Sequence, residues 1–159
     1  MNDLPYRKGV NAIVVDKNNN FLLVQKQNYD SHQWDFPGGG VEQNEKLETA
    51  MLRELEEEVG TNKFEIVEKS PHLLKYEWPK EAQEHAHNKH GKWWRGQEKH
   101  QFIVKFTGKK SDIQIQENEI RQIKWVPYNK LKDHLVFENQ WKDAKRAIKD
   151  SDLIKVESK

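Results

Sequence analysis

The sequence predicts an α/β fold in which a mixed β-sheet packs between helices. Short apolar runs with β-forming residues recur along the chain, and three segments with helical patterns are interspersed among them. Elements in this mixed order favour a layer of strands covered by helices. The chain has 159 residues, and no linker divides it. We therefore expect a single domain over residues 1–159, with a core from about 6 to 150.

The first third of the chain predicts a hairpin, a loop and a helix. Residues 10–15 and 21–26 are apolar runs on either side of the turn-forming sequence DKNNN, which indicates a β-hairpin. Residues 34–40, WDFPGGG, form a loop rich in proline and glycine. A helix follows, and we expect Asn44 to be its N-cap and Gly60 its stop.

The remaining two thirds predict four strands and two helices. The strands correspond to the sequences FEIVEK, HLLKYEW, HQFIVKF and IRQIKWV. Pro127 marks the start of one helix, and residues 138–150 form a final surface helix. Residues 79–99 are polar and are expected to be irregular, and the last residues are expected to be a frayed tail.

The composition excludes several classes of function. The chain has no cysteine, so disulfides, thiolate metal sites and a cysteine nucleophile are excluded. It has no apolar run of about 18 residues and no apolar stretch typical of a signal peptide near its first residue. We therefore expect a cytoplasmic protein that does not bind membranes. With 27 basic and 26 acidic residues, the overall charge does not indicate nucleic-acid binding, and DNA is not an expected partner.

The predicted first helix concentrates carboxylates on an unexpected face. At 100° per residue, Glu54 and Glu58 continue the stripe that Leu47 and Met51 begin, and Glu57 borders it. These carboxylates therefore do not lie where a solvated face is expected. A second apolar stripe runs alongside and consists of Leu52, Leu55 and Val59.

Two interpretations of this helix are open from spacing alone. A glutamate-rich segment is most often a solvated surface helix, but like charges four residues apart repel each other. Arg53 can relieve one carboxylate and not three, whereas a hard divalent cation with oxygen ligands relieves all of them. The glycine loop before the helix favours the second interpretation, because glycine lets the backbone approach a ligand closely.

The segment from Gly39 to Gly60 resembles the signature of the Nudix hydrolases, the Nudix box. One position departs from the signature: Thr61 stands where an apolar residue usually closes it, and that position packs rather than reacts. The matching residues are Gly39, Glu45, Arg53, Glu54, Leu55, Glu57, Glu58 and Gly60.

This resemblance implies an α/β/α sandwich and hydrolysis of a nucleoside diphosphate linked to another group. It implies that Arg53 holds the carboxylates by hydrogen bonds and that Glu45 helps to fix the loop–helix geometry. Glu57 is the first choice for the base that deprotonates water, and a more remote glutamate is the alternative. The implied cofactor is Mg²⁺, with Mn²⁺ as the alternative, and its implied ligands are Gly39, through its carbonyl, Glu54, Glu57 and Glu58.

Segments outside the signature resemble one subgroup, the bacterial RNA pyrophosphohydrolases and the related dinucleoside polyphosphate hydrolases. The likeness lies in the sequences YR, KYEWPK, WRGQEKHQF and ENEIRQIKWV. Two departures put the preferred substrate in doubt. The loop has PGGG where the subgroup commonly has PQGG, and the residues after the Arg-Gly-Gln sequence differ from the usual ones.

The subgroup likeness implies roles for five further residues. Glu119 would be an additional metal ligand or the base, and the alternative is an exposed loop glutamate. Arg7 would contact phosphates and Lys26 would end a strand on the site side, although both also fit free surface cations. Gln97 and Lys99 would line the nucleotide site, or simply complete a loop.

The segment of residues 84–100 contains four histidines and the adjacent Trp93 and Trp94. A transition-metal site is conceivable. The histidines lack a helical metal-binding register, however, so we favour a mobile polar loop. Under the subgroup interpretation a tryptophan would stack on a base and the nearby lysines and arginine would meet phosphates, whereas the alternative is packing and solubility.

The sequence thus predicts a metal-dependent hydrolase, active on 5′-triphosphate RNA ends or dinucleoside polyphosphates, that is a monomer or a small homo-oligomer. The alternative within the family is hydrolysis of ADP-ribose, nucleotide sugars or damaged nucleoside triphosphates. A non-catalytic nucleotide sensor on the same fold is a third hypothesis. It predicts lost carboxylates, and Glu54, Glu57 and Glu58 are all present.

Overall fold

A computed structural model describes residues 3–151, which form a six-stranded sheet with helices on both faces. A short 3₁₀ turn at Lys110–Asp112 precedes the last strand. The strands are β1 (Tyr6–Val15), β2 (Asn20–Lys26), β3 (Gly38–Gly40), β4 (Phe64–Glu77), β5 (Gly96–Phe106) and β6 (Ile120–Pro127). The helices are α1 (Leu47–Val59), α2 (Lys80–His90), α3 (Tyr128–His134) and α4 (Gln140–Lys149).

The sheet is mixed, as predicted. Its strand order is β4-β5-β1-β2-β6, and β1 and β5 are parallel while the other pairs are antiparallel. The short strand β3 pairs with the first half of β1, where Val10 lies opposite Gly39. The glycine loop is therefore fixed against the centre of the sheet, directly before α1.

The sheet separates two apolar layers, which confirms the predicted α/β/α sandwich. Alternate residues of β1 point to opposite faces, so Val10 and Val14 contact one layer and Ile13 and Val15 the other. Helix α1 covers the first layer with Met51 and other buried residues. Helices α3 and α4 cover the second layer, to which they contribute Leu131, Ala144, Ala147 and Ile148.

The predicted hairpin is confirmed and has a clear local cause. Strands β1 and β2 are antiparallel, with Val15 opposite Phe21. In the turn, the Asp16 carboxylate accepts hydrogen bonds from the backbone amides of Asn18 and Asn20, each at 2.9 Å. Asn19 adopts a left-handed backbone with φ of 62°, a conformation that asparagine tolerates.

The start of the first helix differs from the prediction. Helix α1 begins at Leu47 with Lys46 in the N-cap position, whereas Asn44 has a φ of 65° and lies in the preceding turn. The predicted stop is confirmed, because Gly60 has a φ of 72° and donates its amide to the Glu56 carbonyl. The second apolar stripe was wrong at Leu52, which is 40% exposed.

Residues 79–99 are not irregular, because they contain α2. Pro79 supplies the N-cap with a φ of −64°, and Gly91 ends the helix with a φ of 74°. Ala86 is the buried residue of this helix, so the sequence carries no apolar period that would reveal it. The FEIVEK and HLLKYEW segments form one strand, β4, with irregular pairing between Lys69 and Leu73.

The expected frayed tail lies mainly in residues 152–159, outside the described part of the chain. Among residues 3–151, no helix has the length and apolar character needed to cross a membrane.

Substitutions at two leucines of α1 test how this helix packs. Leu55 is fully buried against the sheet, and Leu52, three residues earlier, is 40% exposed. We expect Leu55→Ala to lower the free energy of unfolding by about 2–5 kcal/mol, because it leaves a cavity in the core. The matched Leu52→Ala change should cost less than about 0.5 kcal/mol. Urea unfolding of both variants measures this, and equal costs would contradict the packing described here.

Candidate active site

Three glutamates of the signature lie on the C-terminal half of α1 and differ in exposure. Glu58 is 2% exposed, and its Oε1 accepts a hydrogen bond of 2.8 Å from the Gly38 amide. The Glu54 side chain is 14% exposed and that of Glu57 is 53% exposed. A Cβ atom at Gly39 would lie 2.3 Å from the Glu54 carboxylate, so a larger residue there would displace this carboxylate from its present position. The glycine loop and the carboxylates thus form one unit.

Arg53 holds this unit together through hydrogen bonds in several directions. Its guanidinium donates to both oxygens of Glu45, at 2.7 and 2.9 Å, and to the Gly40 carbonyl at 2.9 Å. It also donates to Glu54 at 2.9 Å and to Glu57 at 3.3 Å. These contacts, those with Glu45 above all, raise the pKa of Arg53, and Arg53 in turn lowers the pKa of Glu45. Arg53 therefore lies where the resemblance expects it to position the carboxylates.

The buried carboxylates have perturbed acidities. Burial raises the pKa of Glu58 to about 7 and also raises the pKa of Glu54. The positive charge of Lys26 opposes both shifts, which places Lys26 on the site side of β2 as the sequence predicts. The structure thus gathers negative charge that neighbouring cations only partly offset.

The donor set fits a hard divalent cation by its chemistry. All the donors here are oxygens: carboxylates of α1 and carbonyls of the glycine loop. The carboxylates are turned toward Arg53 and the Gly38 amide. Within residues 3–151, no three acidic or histidine side chains form a ready-made ligand set. Ion binding therefore requires rotation of side chains that are already neighbours.

Glu119 lies beside the same cluster. It is exposed and lines a groove of about 240 Å³ together with Glu57, Gln116 and Asn118. Its negative charge also contributes to the raised pKa of Glu58. The structure thus brings together both glutamates that the sequence proposes as the base.

Arg7, the predicted phosphate contact, is half-buried on the other side of the glycine loop. A Cβ atom at Gly40 would lie 2.2 Å from its guanidinium, which therefore covers the loop. Arg7 also lies 5.3 Å from the centre of the Trp94 ring. Burial lowers the pKa of Arg7, while the charge of Glu54 opposes that shift. Arg7 is thus close enough to the carboxylates to interact with them electrostatically.

Gln97 and Lys99, the predicted nucleotide contacts, lie on β5 rather than in a loop, next to Arg7 and Gly9 of β1. Gln97 is buried, and the Tyr76 hydroxyl donates a 3.1 Å hydrogen bond to its Oε1. A Cβ atom at Gly9 would lie 2.5 Å from Gln97 Nε2, so glycine leaves room for that amide. A row of polar groups therefore continues from the glycine loop along the sheet.

Three residues around Gln97 and Lys99 were not predicted as site residues: Tyr29, Asp35 and Tyr76. The Lys99 ammonium lies 4.0 Å from Asp35 Oδ2, and the Tyr29 hydroxyl lies 3.4 Å from the same atom. Burial lowers the pKa of Lys99, but Asp35 and Tyr76 outweigh burial and raise it. Tyr76 belongs to the KYEWPK likeness, which could have drawn attention to it. Tyr29 lies in a stretch with no motif, and Asp35 lies in the WDFPGGG loop, where no sequence motif assigned it a role.

Two polar side chains, Gln25 and Arg121, hold the loop that carries Tyr29. Gln25 is fully buried, and its amide donates to the carbonyls of Ser31, at 2.9 Å, and Gln33, at 3.2 Å. Arg121 of β6 donates to Gln25 Oε1 at 3.1 Å and to the carbonyls of Gln27 and Tyr29 at 2.8 and 2.5 Å. These bonds hold residues 27–33 in place, with Tyr29 near Asp35.

The histidine- and tryptophan-rich segment packs as aromatic pairs. His87 of α2 stacks on Trp93, with ring centres 4.1 Å apart, and His90 lies edge-on to Trp94 at 5.7 Å. Trp93 nevertheless remains 44% exposed. No three histidine or acidic side chains of the described residues approach one another as metal ligands would, so the conceivable transition-metal site gains no support.

The structure combines a sheet between helices with a glycine loop that is followed by a helix carrying clustered carboxylates. This combination defines a class of protein, which comparison with known protein families identifies. The family model of the NUDIX domain matches residues 5–150. The chain therefore belongs to the Nudix family.

Similar proteins make the placement more specific. An RNA pyrophosphohydrolase of Pelagibacter ubique is 33% identical over 156 residues, which cover 93% of this chain and 94% of that protein. Another, from a Nitratiruptor species, is 34% identical over 138 residues, which cover 83% of this chain and 84% of that protein. The resemblance to this group, noticed in the flanking segments, is thus confirmed.

Solved structures share the fold at lower identity. The Ap4A hydrolase of C. elegans, as a binary complex, matches with a TM-score of 0.65 and 21% identity, covering 88% of this chain and 93% of its own. The dihydroneopterin triphosphate pyrophosphohydrolase of E. coli matches with a TM-score of 0.70 and 14% identity, covering 92% and 99%. These likenesses show the fold alone.

The raised pKa of Glu58 predicts an unusual pH dependence of stability when metal is removed. Between the ordinary value of 4.5 and about 7, the folded state binds more protons than the unfolded state. The free energy of unfolding should therefore fall as pH rises through this range. Thermal melts in EDTA between pH 5 and 8 measure it, and Glu58→Gln should flatten the curve. The same slope in wild type and variant would contradict the assignment.

Loss of Arg121 should loosen the loop of residues 27–33 without disturbing α1. Arg121→Ala removes two hydrogen bonds to this loop, at Gln27 and Tyr29, and a third to Gln25, which itself bonds to the loop. We expect faster amide hydrogen exchange in residues 27–33 and unchanged exchange in α1, together with a KM that rises more than kcat falls. Exchange measured by mass spectrometry provides the check. Unchanged protection of the loop would show that Arg121 does not hold it.

Proposed function

We propose that this Nudix hydrolase removes pyrophosphate from 5′-triphosphate ends of RNA, cleaves dinucleoside polyphosphates, or does both, and that it uses Mg²⁺. The observation that carries the proposal is the row of polar and charged groups that runs from the carboxylates of α1, past the glycine loop, to the cations Arg7 and Lys99. The negative charge of Glu58 reaches Lys99 and contributes to its raised pKa. Relatives named RNA pyrophosphohydrolase, aligned over most of the chain, support the substrate class.

The residues of α1 would hold the metal. Nudix hydrolases generally use divalent cations, and such a cation neutralises charge on phosphate oxygens when it is bound. We assign the ligands to Glu54, Glu57, Glu58 and the Gly39 carbonyl, with Glu119 as a further ligand or the base. Arg53 positions them, because it bonds to Glu54 and Glu57 at once.

The base is a carboxylate that accepts the proton of the attacking water. Glu57 remains the first choice, since its side chain is half-exposed on the groove it shares with Glu119. The water oxygen forms a bond to phosphorus as the phosphoanhydride bond breaks, and the displaced phosphate leaves with the bond electrons. On triphosphate RNA the products are pyrophosphate and a 5′-monophosphate end.

The cations of this row, Arg7 and Lys99, would bind the phosphate chain. Lys99 is fixed by Asp35 and Tyr76, so it presents its charge without a large loss of side-chain entropy on binding. Arg7 is fixed over Gly40 and Trp94. Gln97 adds an amide between them. We place this activity in the cytoplasm, with no role for DNA or a membrane.

A direct test compares three substrates with Mg²⁺: a 5′-triphosphate RNA oligomer, diadenosine tetraphosphate and ADP-ribose. We expect hydrolysis of one or both of the first two, and Glu57→Gln should lower kcat by at least about 100-fold. The matched control is Glu56→Gln, one residue earlier on the exposed face of α1, which should leave kcat unchanged.

The outcomes separate the proposals. Near-wild-type activity of Glu57→Gln would exclude it as the base and direct the test to Glu119. Preference for ADP-ribose with RNA and diadenosine tetraphosphate untouched would favour the alternative group of Nudix substrates. The same result would show that the row of charged and polar groups from Glu58 to Lys99 does not select polyphosphate ends.

A further inference from the structure

Helix α4 presents a cationic outer face that the proposed chemistry does not use. Its inner face, with Ala144, Ala147 and Ile148, is buried in the apolar layer under α3 and α4. Its outer face carries four exposed cations at helical spacing: Lys142, Lys145, Arg146 and Lys149. A shallow groove of about 410 Å³ runs along them, and Trp141 and Asp150 also line it.

The acidic residues of this region compensate only part of that charge. Asp143 lies 4.0 Å from Arg146, at the limit of an ion pair. Asp150 pairs with His72 of β4. Lys142, Lys145 and Lys149 have no such carboxylate contact among the ion pairs of the described residues. In a chain with a formal charge of only +1, this face is a local concentration of positive charge.

Both ends of α4 contact residues that are connected to Lys99. At the N-terminal end, Gln140 donates to the Trp34 carbonyl at 2.8 Å and to Asp35 Oδ1 at 3.1 Å, and Asp35 is the partner of Lys99. At the C-terminal end, Asp150 contacts His72, whose carbonyl accepts from Gln101, two residues along β5 from Lys99. Each end of the helix is thus connected to Lys99 through intermediate residues, Asp35 at one end and His72 with Gln101 at the other.

We propose that the outer face of α4 binds the backbone of the RNA chain downstream of the reacting 5′ end. This inference rests on the proposed function and adds a second contact surface to it. Cationic side chains in a row bind phosphates without sequence preference. The three lysines span about 10 Å of helix at 1.5 Å per residue, so they suit an extended chain rather than a single phosphate.

The fold argues against two other occupants. An amphipathic helix binds a membrane by inserting its apolar face, but the apolar face of α4 is already buried against the sheet. A dinucleoside polyphosphate ends at its second nucleoside and has no chain to extend along the helix. The face should therefore distinguish a long RNA from a dinucleotide substrate.

The test neutralises the three lysines of α4 in the full-length protein as Lys142→Gln, Lys145→Gln and Lys149→Gln. The matched control neutralises three exposed lysines at the far end of β5, as Lys63→Gln, Lys105→Gln and Lys109→Gln. Both variants and the wild type are assayed on a 5′-triphosphate RNA of about 20 nucleotides, a triphosphorylated dinucleotide and diadenosine tetraphosphate. Thermal melts confirm that each variant is folded.

We expect the α4 variant to raise KM for the long RNA roughly ten-fold at low salt. The affinity of this variant for the long RNA should also depend less on salt. The slope of log affinity against log salt should be shallower by about 2, because each lost phosphate contact accounts for about 0.7. Turnover of the two short substrates should stay within about two-fold of wild type. The far-end variant should match the wild type on all three substrates.

Several results would overturn the inference. One is an unchanged KM for the long RNA in the α4 variant. Another is an equal loss on short and long substrates, which would indicate a purely structural role. A wild type that hydrolyses diadenosine tetraphosphate but no RNA would refute both this inference and the RNA arm of the proposed function. Length-independent RNA hydrolysis by the wild type would refute the inference alone.

Discussion

The contact on which the site depends is the guanidinium of Arg53. Carboxylates crowded on one helix repel each other, and this repulsion would move Glu54 and Glu57 apart without a cation between them. Arg53 bonds to both, to Glu45 in the turn before the helix and to the Gly40 carbonyl. One side chain therefore sets the distance between the loop and the helix. A lysine would not replace it, because an ammonium cannot present donors in a fixed planar fork.

The glycine loop and Glu58 make the second constraint. Gly39 leaves space for the Glu54 carboxylate, and the Gly38 amide binds the almost fully buried carboxylate of Glu58. Strand β3 holds both glycines against β1, so the core fixes their position. Stability and ligand binding are coupled here. Burial of an anion costs free energy in the folded protein, and a bound cation would offset that cost.

The sequence predicted the fold and the clustering of the carboxylates with the glycine loop, because both depend on local patterns. The apolar runs of β1 and β2, the stop at Gly60 and the glutamate spacing are visible within short windows. Helix α2 was missed because it buries little beyond Ala86, so no apolar period marks it. Asn44 was misplaced as the N-cap because a residue that favours caps also favours the left-handed turn it adopts here.

The contacts around Lys99 could not be predicted from the sequence, because residues that are distant in the chain make them. Asp35 meets Lys99 only because the β2–β3 loop crosses toward β5, and Arg121 reaches that loop from the other edge of the sheet. No spacing in the sequence connects these residues. The consequence for the proposed function is specific: apart from Glu119, the proposed metal ligands lie in one segment, whereas the proposed phosphate contacts lie on β1 and β5 and are held by β4 and a loop. On this proposal, changes in the phosphate contacts would alter the substrate while the metal ligands stay intact, and this would explain why the signature identifies the family but not the substrate.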